Sequence, residues 1–366
     1  MNAKSLWLAV AGAAMLLTGC GEDEPAAGTV RQETGSARQE SVAGQAKFAV
    51  LAARLNVPWA IDQRGDVFYI SERDGSVATV SGDTVSRKPV RLNKPLRRVG
   101  EGGLLGFVLL PDFDRSKTAA AYHTYEQDGA VYNRIVLLKE TEGEWMETGA
   151  LLEGIPGSDN HNGGRLAIGP DNLLYATTGD TYKEDLAQRT DTLAGKILRL
   201  ALDGSVPADN PFPGSYIYSY GHRNPQGLAW DAQGQLYATE HGPSGDPGGH
   251  DEINLIKPGA NYGWPLVIGD ATSPGTEPPL YHTGDETIAP SGAAFDSAGR
   301  LLVAGLRGEK LFAYDPADGK LSGRLSGEGR IRDVKVYDSY IYVVTNNTDG
   351  RGTPSVEDDR LIRIKQ

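Results

Sequence analysis

A turn followed by an alternating strand recurs along this chain at intervals of about 40 to 65 residues, and that period constrains the fold more than any other feature. The theme appears at 62–70 (DQRGDVFYI), 170–176 (PDNLLYA), 231–238 (DAQGQLYA) and 296–303 (DSAGRLLV), with a degenerate copy at 337–343 (YDSYIYV). Residues 111–140, with YHTY at 122–125 and IVLL at 135–138, fill the long gap after the first copy. Each copy reads as a β-hairpin, and the spacing fits one four-stranded propeller blade with loop insertions. Six such units fit, so the expectation is an all-β protein: a six-bladed β-propeller of four-stranded antiparallel blades. A sandwich or barrel is the competing all-β architecture. With 47 glycines and 21 prolines punctuating the chain, no long amphipathic helix competes. Residues 48–55 are expected to add a strand to the last blade and close the ring, because an unpaired edge is a liability.

The N-terminus has a different character. Lys4 precedes an apolar run from Leu6 to Leu17 that ends in Leu17-Thr18-Gly19-Cys20, the pattern of an export signal. The run is short for a bilayer span, and Cys20 stands where a bacterial lipoprotein signal is cut and acylated. The expected organisation is a lipoprotein signal peptide over 1–19 and a lipidated Cys20 with a disordered tether over 20–45. The propeller domain then occupies 46–366. The reading places the protein outside the cytoplasm, touching a membrane only through its lipid. Cys20 is the only cysteine, so the folded domain holds neither disulfides nor thiolate metal sites. A formal net charge of −12 with no evident basic face argues against a nucleic-acid partner.

Two runs concentrate chemistry. His161-Asn162-Gly163-Gly164-Arg165 and Gly221-His222-Arg223-Asn224-Pro225 each sit where a strand meets a loop, beside glycines that let a ligand approach the backbone. A histidine that can take a proton and an arginine that can stabilise an anion serve a dehydrogenase or a hydrolase. Arg330 and Arg332, two apart on an expected strand, would share one face.

Taken in order, these runs resemble the soluble pyrroloquinoline quinone (PQQ)-dependent aldose and glucose dehydrogenases. The resemblance also rests on Val57-Pro58-Trp59-Ala60, Glu101-Gly102-Gly103-Leu104, Gly179-Asp180, Glu240-His241-Gly242-Pro243, Asp251-Glu252-Ile253-Asn254, Asn261-Tyr262-Gly263-Trp264-Pro265 and Arg330-Ile331-Arg332-Asp333. It implies a six-bladed propeller carrying the quinone on its top face. It also implies oxidation of an aldose at C1 to the lactone, with hydride passing to the quinone and electrons onward to an external acceptor. By the same resemblance His161 is the general base, Asp180 orients it, and Arg223 with Asn224 meets the reactive quinone carbonyl. Glu101, Asn160, Thr287, Arg307, Arg330 and Arg332 complete the cofactor contacts. Gly242 and Pro243 resemble a loop whose carbonyls hold Ca²⁺, and Glu252 with Tyr262 resembles a second calcium site. Asn160 stands where the glucose enzyme has aspartate, and Glu101 where many members have glutamine. A carboxylate near a polyanionic quinone requires protonation, a cation or outward placement. Two other classes use the same scaffold, a calcium-dependent lactonase or hydrolase and a non-catalytic glycan- or protein-binding propeller.

Overall fold

The computed structural model describes residues 48–245 and 248–366. The expected signal peptide, Cys20 and tether lie outside the described residues. Sheet pairing yields six four-stranded antiparallel blades. Their first strands are Pro58–Arg64, Leu104–Leu109, Leu166–Ile168, Pro225–Trp230, Pro290–Phe295 and Ile331–Tyr337. Each first strand packs against that of the next blade, and the last returns to the first, so the chain closes a ring around an axial channel. Blades 1 and 2 also join at their outer edges, where Val90 and Arg91 pair in parallel with Trp145 and Met146.

The second strands Val67–Glu72, Leu174–Thr178, Leu236–Glu240, Leu301–Gly305 and Tyr340–Thr345 coincide with the repeated sequence theme. Residues 111–140, expected to fill the gap after the first copy, supply the two middle strands of blade 2, Thr118–Gln127 and Ala130–Glu140, with a single helical turn at Phe113–Ser116. Closure works as the edge argument requires. Phe48–Ala52 pairs with Leu361–Lys365, making the outer strand of blade 6 from the N-terminal end of the domain. Between blades the packing is apolar: Trp145, fully buried, meets Phe107 edge-on at 5.2 Å and Tyr69 at 6.1 Å.

The channel, by contrast, is held by charge. Arg165 of the blade 2–3 loop pairs with Asp333 of blade 6 at 2.9 Å, and both are buried. The same Asp333 oxygen accepts the Ile61 N–H of blade 1 at 2.8 Å. Arg165 also donates to the Gln226 carbonyl of blade 4 and lies 4.3 Å over the Trp59 ring. Lys335 pairs with Asp62 at 2.6 Å, and Asp62 accepts the Leu109 N–H of blade 2. Five blades are thus tied together along the axis. Removing one partner of a buried pair leaves the other charge unpaired in a medium that solvates it poorly, which costs about 3–5 kcal/mol. Asp333→Ala should therefore lower the urea midpoint strongly, and Arg165→Met with Asp333→Leu should recover much of the loss. A double variant as unstable as the single one would contradict this role.

Strands alternate in direction, so the second-to-third-strand loops and the blade-to-blade loops gather on one face. That face holds 157–165, 179–195, 221–224, 241–245, 248–251, 283–289, 327–330 and 346–360. Most of the residues singled out in the sequence lie there.

Candidate active site

His161 sits in the loop entering blade 3, with its backbone in the left-handed region (φ 55°) and its side chain buried. Gly179 permits that geometry, because a Cβ there would overlap the His161 carbonyl. The ring Nδ1 lies 2.7 Å from Asp180 Oδ1. A carboxylate oxygen accepts, so Nδ1 carries the hydrogen and the Nε2 lone pair is left for a ligand. Asp180 is fixed in turn. Oδ1 also accepts the Tyr182 N–H at 2.9 Å, and Oδ2 accepts the Trp264 indole N–H at 2.8 Å. The Tyr182 ring lies 4.1 Å from the imidazole and is 60% exposed, so it roofs His161 on the solvent side.

Arg223 is placed by Glu240, whose carboxylate accepts the Arg223 N–H and also the His222 ring at 2.8 Å. Its guanidinium lies 5.4 Å over Trp264 and reaches the His241 carbonyl and Ser244. Among the described residues it forms no ion pair, and burial lowers its pKa. Asn224 accepts the Gly163 N–H at 3.0 Å, while its buried Nδ2 has no partner among the described residues.

Across the channel mouth, Arg330 and Arg332 converge on one carboxylate. Asp349 Oδ2 lies 3.0 Å from Arg330 and 4.0 Å from Arg332. Burial brings Arg332 down to about 9, and Asn346 and Gln226 accept from it. Arg73 adds a third cation that donates only to the Gly100 and Gly102 carbonyls, and burial lowers it too. Desolvated guanidiniums with so little counter-charge make a strongly anion-seeking surface.

The Glu101 carboxylate is answered by a cation. Arg351 bridges it at 2.8 Å and reaches Asn160 Oδ1 at 3.0 Å, and the other Glu101 oxygen accepts the His161 N–H at 3.1 Å. Burial would raise Glu101, but His241, Arg351 and His161 together hold it at about 2. Burial also holds His241 at about 3, so it is neutral above that, and Arg351 is the lasting partner.

A small cavity that Arg223, His241 and Trp264 also line brings together Glu240, Gly242, Pro243, Glu252 and Tyr262. The Gly242 N–H donates to Asp251 at 2.9 Å, and any side chain at Gly242 would run into the Gly249 and His250 carbonyls. Burial and the neighbouring Glu240 push Glu252 up to about 8, the response of two carboxylates enclosed together. Among the described residues no group of three or more His, Cys, Asp or Glu side chains is set to hold a metal.

Arg307 follows Leu306, whose carbonyl accepts from Arg330 at 3.3 Å. Arg307 is exposed, with its N–H bonded to the Ile288 carbonyl, and Thr287 precedes the Ile288 and Ala289 N–H groups that cap Asp251. Sequence reasoning gave no role to Arg73, Asp349, Arg351 or Trp264. Arg351 meets a residue 250 positions away, which no local pattern encodes. Trp264 lies in a run that the resemblance includes, and its partner shows only in three dimensions.

A chain that is all-β, closed on six blades, with a histidine–aspartate pair beside unmatched arginines at the mouth of its channel has the frame of a propeller oxidoreductase. The sequence pattern of the Glucose / Sorbosone dehydrogenase family matches residues 55–362, and the chain belongs to that family. Aldose sugar dehydrogenase YliI of Escherichia coli (strain K12) is 32% identical over 349 residues, covering 82% of this chain and 90% of that protein. Quinoprotein glucose dehydrogenase B of Acinetobacter calcoaceticus is 37% identical over 262 residues, 60% of this chain, and this match spans about half (52%) of that protein. A PQQ-bound aldose sugar dehydrogenase structure from Streptomyces coelicolor is 38% identical. It superposes with a TM-score of 0.79, covering 86% of this chain and 96% of that one.

The Glu101 bridge has a pH signature. A carboxyl held below its unfolded value contributes stability that is complete above about pH 4.3 and is lost as pH falls through the folded value. Native protein should therefore exceed Glu101→Gln in unfolding free energy at pH 6, with the difference shrinking below about pH 4.3 and vanishing near pH 2. A difference independent of pH would contradict the ion pair.

Proposed function

We propose that the protein is a PQQ-dependent dehydrogenase that oxidises aldose sugars at C1 to the lactone. One observation carries the reading: three buried arginines, Arg73, Arg223 and Arg332, crowd the channel mouth with far fewer counter-charges, a few residues from an oriented His161–Asp180 pair. The residues fit a planar tricarboxylate quinone. Arg73, Arg330 and Arg332 would hold its carboxylates, and Arg223 with the unpartnered Asn224 amide would hold a carbonyl. Such a quinone supplies the two-electron acceptor. The chain's own residues supply the rest. His161 Nε2 is the group that takes the proton from the sugar C1 hydroxyl, in the tautomer that Asp180 enforces. Arg223 provides fixed positive charge where an oxygen gains electron density, with no reorganisation needed during the step. Glu101 binds Arg351 and the His161 backbone, so it acts on the base and the loop rather than directly on an anion. For Ca²⁺, the support is the Gly242 loop with its facing carbonyls and the enclosed Glu240 and Glu252.

Purified protein should rise in melting temperature with PQQ plus calcium, and then reduce a dye with several aldoses. Arg330→Ala with Arg332→Ala should weaken PQQ binding by tenfold or more, on the scale of about 1.5–3 kcal/mol for a charge-assisted hydrogen bond. An unchanged melting temperature at saturating PQQ would overturn the reading in favour of a binding propeller.

Export and anchoring through Cys20 belong to the same proposal, supported by the Leu17-Thr18-Gly19-Cys20 pattern. Fatty-acid labelling should be lost in Cys20→Ala, and labelling that persists would contradict it.

A further inference from the structure

The axial channel continues below the arginine cluster. Toward the face opposite the His161 loops it holds an open cavity of about 490 Å³, lined by the C-terminal halves of all six first strands. The Arg165–Asp333 pair closes its inner end, and Arg64, Trp230, Phe295 and Lys335 stand at the strand ends toward its mouth. Trp59, 4.3 Å from Arg165, belongs to the other cavity, the one that Arg73 and Arg332 line. We propose that the lower cavity is a second ligand site, for a small hydroxycarboxylate, meaning one carboxylate on a body of hydroxyl groups. The inference goes beyond the sugar-oxidising reading and does not depend on it.

Hydrogen-bond capacity along the wall points to that ligand. The two buried carboxylates are already answered. Asp62 accepts from Gln63 N–H and Lys335 at one oxygen and from Leu109 N–H at the other. Asp333 accepts from Arg165 and from Ile61 N–H. What stays open is a donor and an acceptor. Arg165 is only 5% exposed; it gives Nε to the Gln226 carbonyl and Nη1 to Asp333, and its Nη2 has no partner among the described residues. A desolvated guanidinium with unused N–H groups is costly until an acceptor reaches it. The buried Gln63 Oε1 likewise has no donor, because the Gln63 amide nitrogen turns to the Gly65 carbonyl. Lys335 adds a half-buried ammonium whose one hydrogen bond among the described residues goes to Asp62. The backbone contributes too. Each first strand is the inner edge of its sheet, so its unpaired N–H and C=O groups turn toward the axis. An arginine N–H suits a carboxylate, and the free amide oxygen with the strand edges suits hydroxyls. Arg165 with Asp333 and Lys335 with Asp62 cancel in charge, so the cavity suits one anionic group and not several. Its volume lies within the range of about 300–1,000 Å³ typical of small-molecule sites.

The test is calorimetric binding of D-gluconate, with and without PQQ, to native protein and two channel variants. Native protein should bind gluconate in both conditions. Arg165→Met with Asp333→Leu removes the free donor together with its counter-charge, and should weaken binding by about tenfold or more, the scale of one lost charge-assisted hydrogen bond. Asp62→Asn with Lys335→Met keeps an acceptor for the Leu109 N–H and should also weaken binding. It supplies the reading if the first variant loses the native circular-dichroism spectrum. Hexanoate, a carboxylate of the same chain length without hydroxyls, should bind native protein more weakly than gluconate. Gluconate held on the opposite face would survive both variants. Native-strength gluconate binding in the folded variants, no binding to native protein, or hexanoate binding as tightly as gluconate would each overturn the proposal.

Discussion

Guanidinium groups taken out of water are the constraint around which this molecule is arranged. A buried charge must be matched or it destabilises the fold. Along the channel the match is made: Arg165 meets Asp333, Lys335 meets Asp62, and the pairs lace five blades to one axis. At the mouth the match is deliberately short. Arg332 and Arg330 share Asp349, while Arg73 and Arg223 have only carbonyl and hydroxyl partners. The same residue type therefore does two jobs a few ångströms apart, and the difference is set by whether a carboxylate faces it.

His161 is set by a second economy of contacts. Asp180 accepts from His161, Tyr182 and Trp264 at once, and the three donors come from separate stretches of the chain. Trp264 also underlies Arg223, so one indole ring connects the orientation of His161 to the position of the arginine. Glu240 plays the parallel part on the other side, holding the Arg223 backbone and His222 while crowding Glu252. These contacts make the His161 imidazole and the Arg223 guanidinium parts of one connected face.

Much of the fold was legible in the chain because a propeller repeats its own local rules. The Asp/Gly turns before 67, 174, 236 and 301 marked strands, which prove to be the second of their blades, and the edge argument found the closing strand at Phe48–Ala52. Arg330 and Arg332 were readable as a pair two residues apart, whereas the pairing of His161 with Asp180, 19 positions on, came from the family resemblance alone. Arg73 and Arg351 were not readable. Their significance depends on loops from different blades meeting above the channel, and neither sits in a pattern that announces it. The Glu101 question had three answers on sequence grounds, and only the position of Arg351 selects among them. Thr287 and Arg307 lie beside the Asp251 loop, and Arg307 follows Leu306, whose carbonyl Arg330 reaches.

The central claim is that His161 removes the sugar proton while the arginines serve binding and charge. Its most direct test is single-turnover reduction of protein-bound PQQ by an aldose, followed by absorbance in native protein and in His161→Gln, with reoxidation excluded. The account predicts a fall of about 10² to 10⁴ in the reduction rate, the range for losing a general base, with PQQ affinity close to native. Reduction by His161→Gln at the native rate would contradict it.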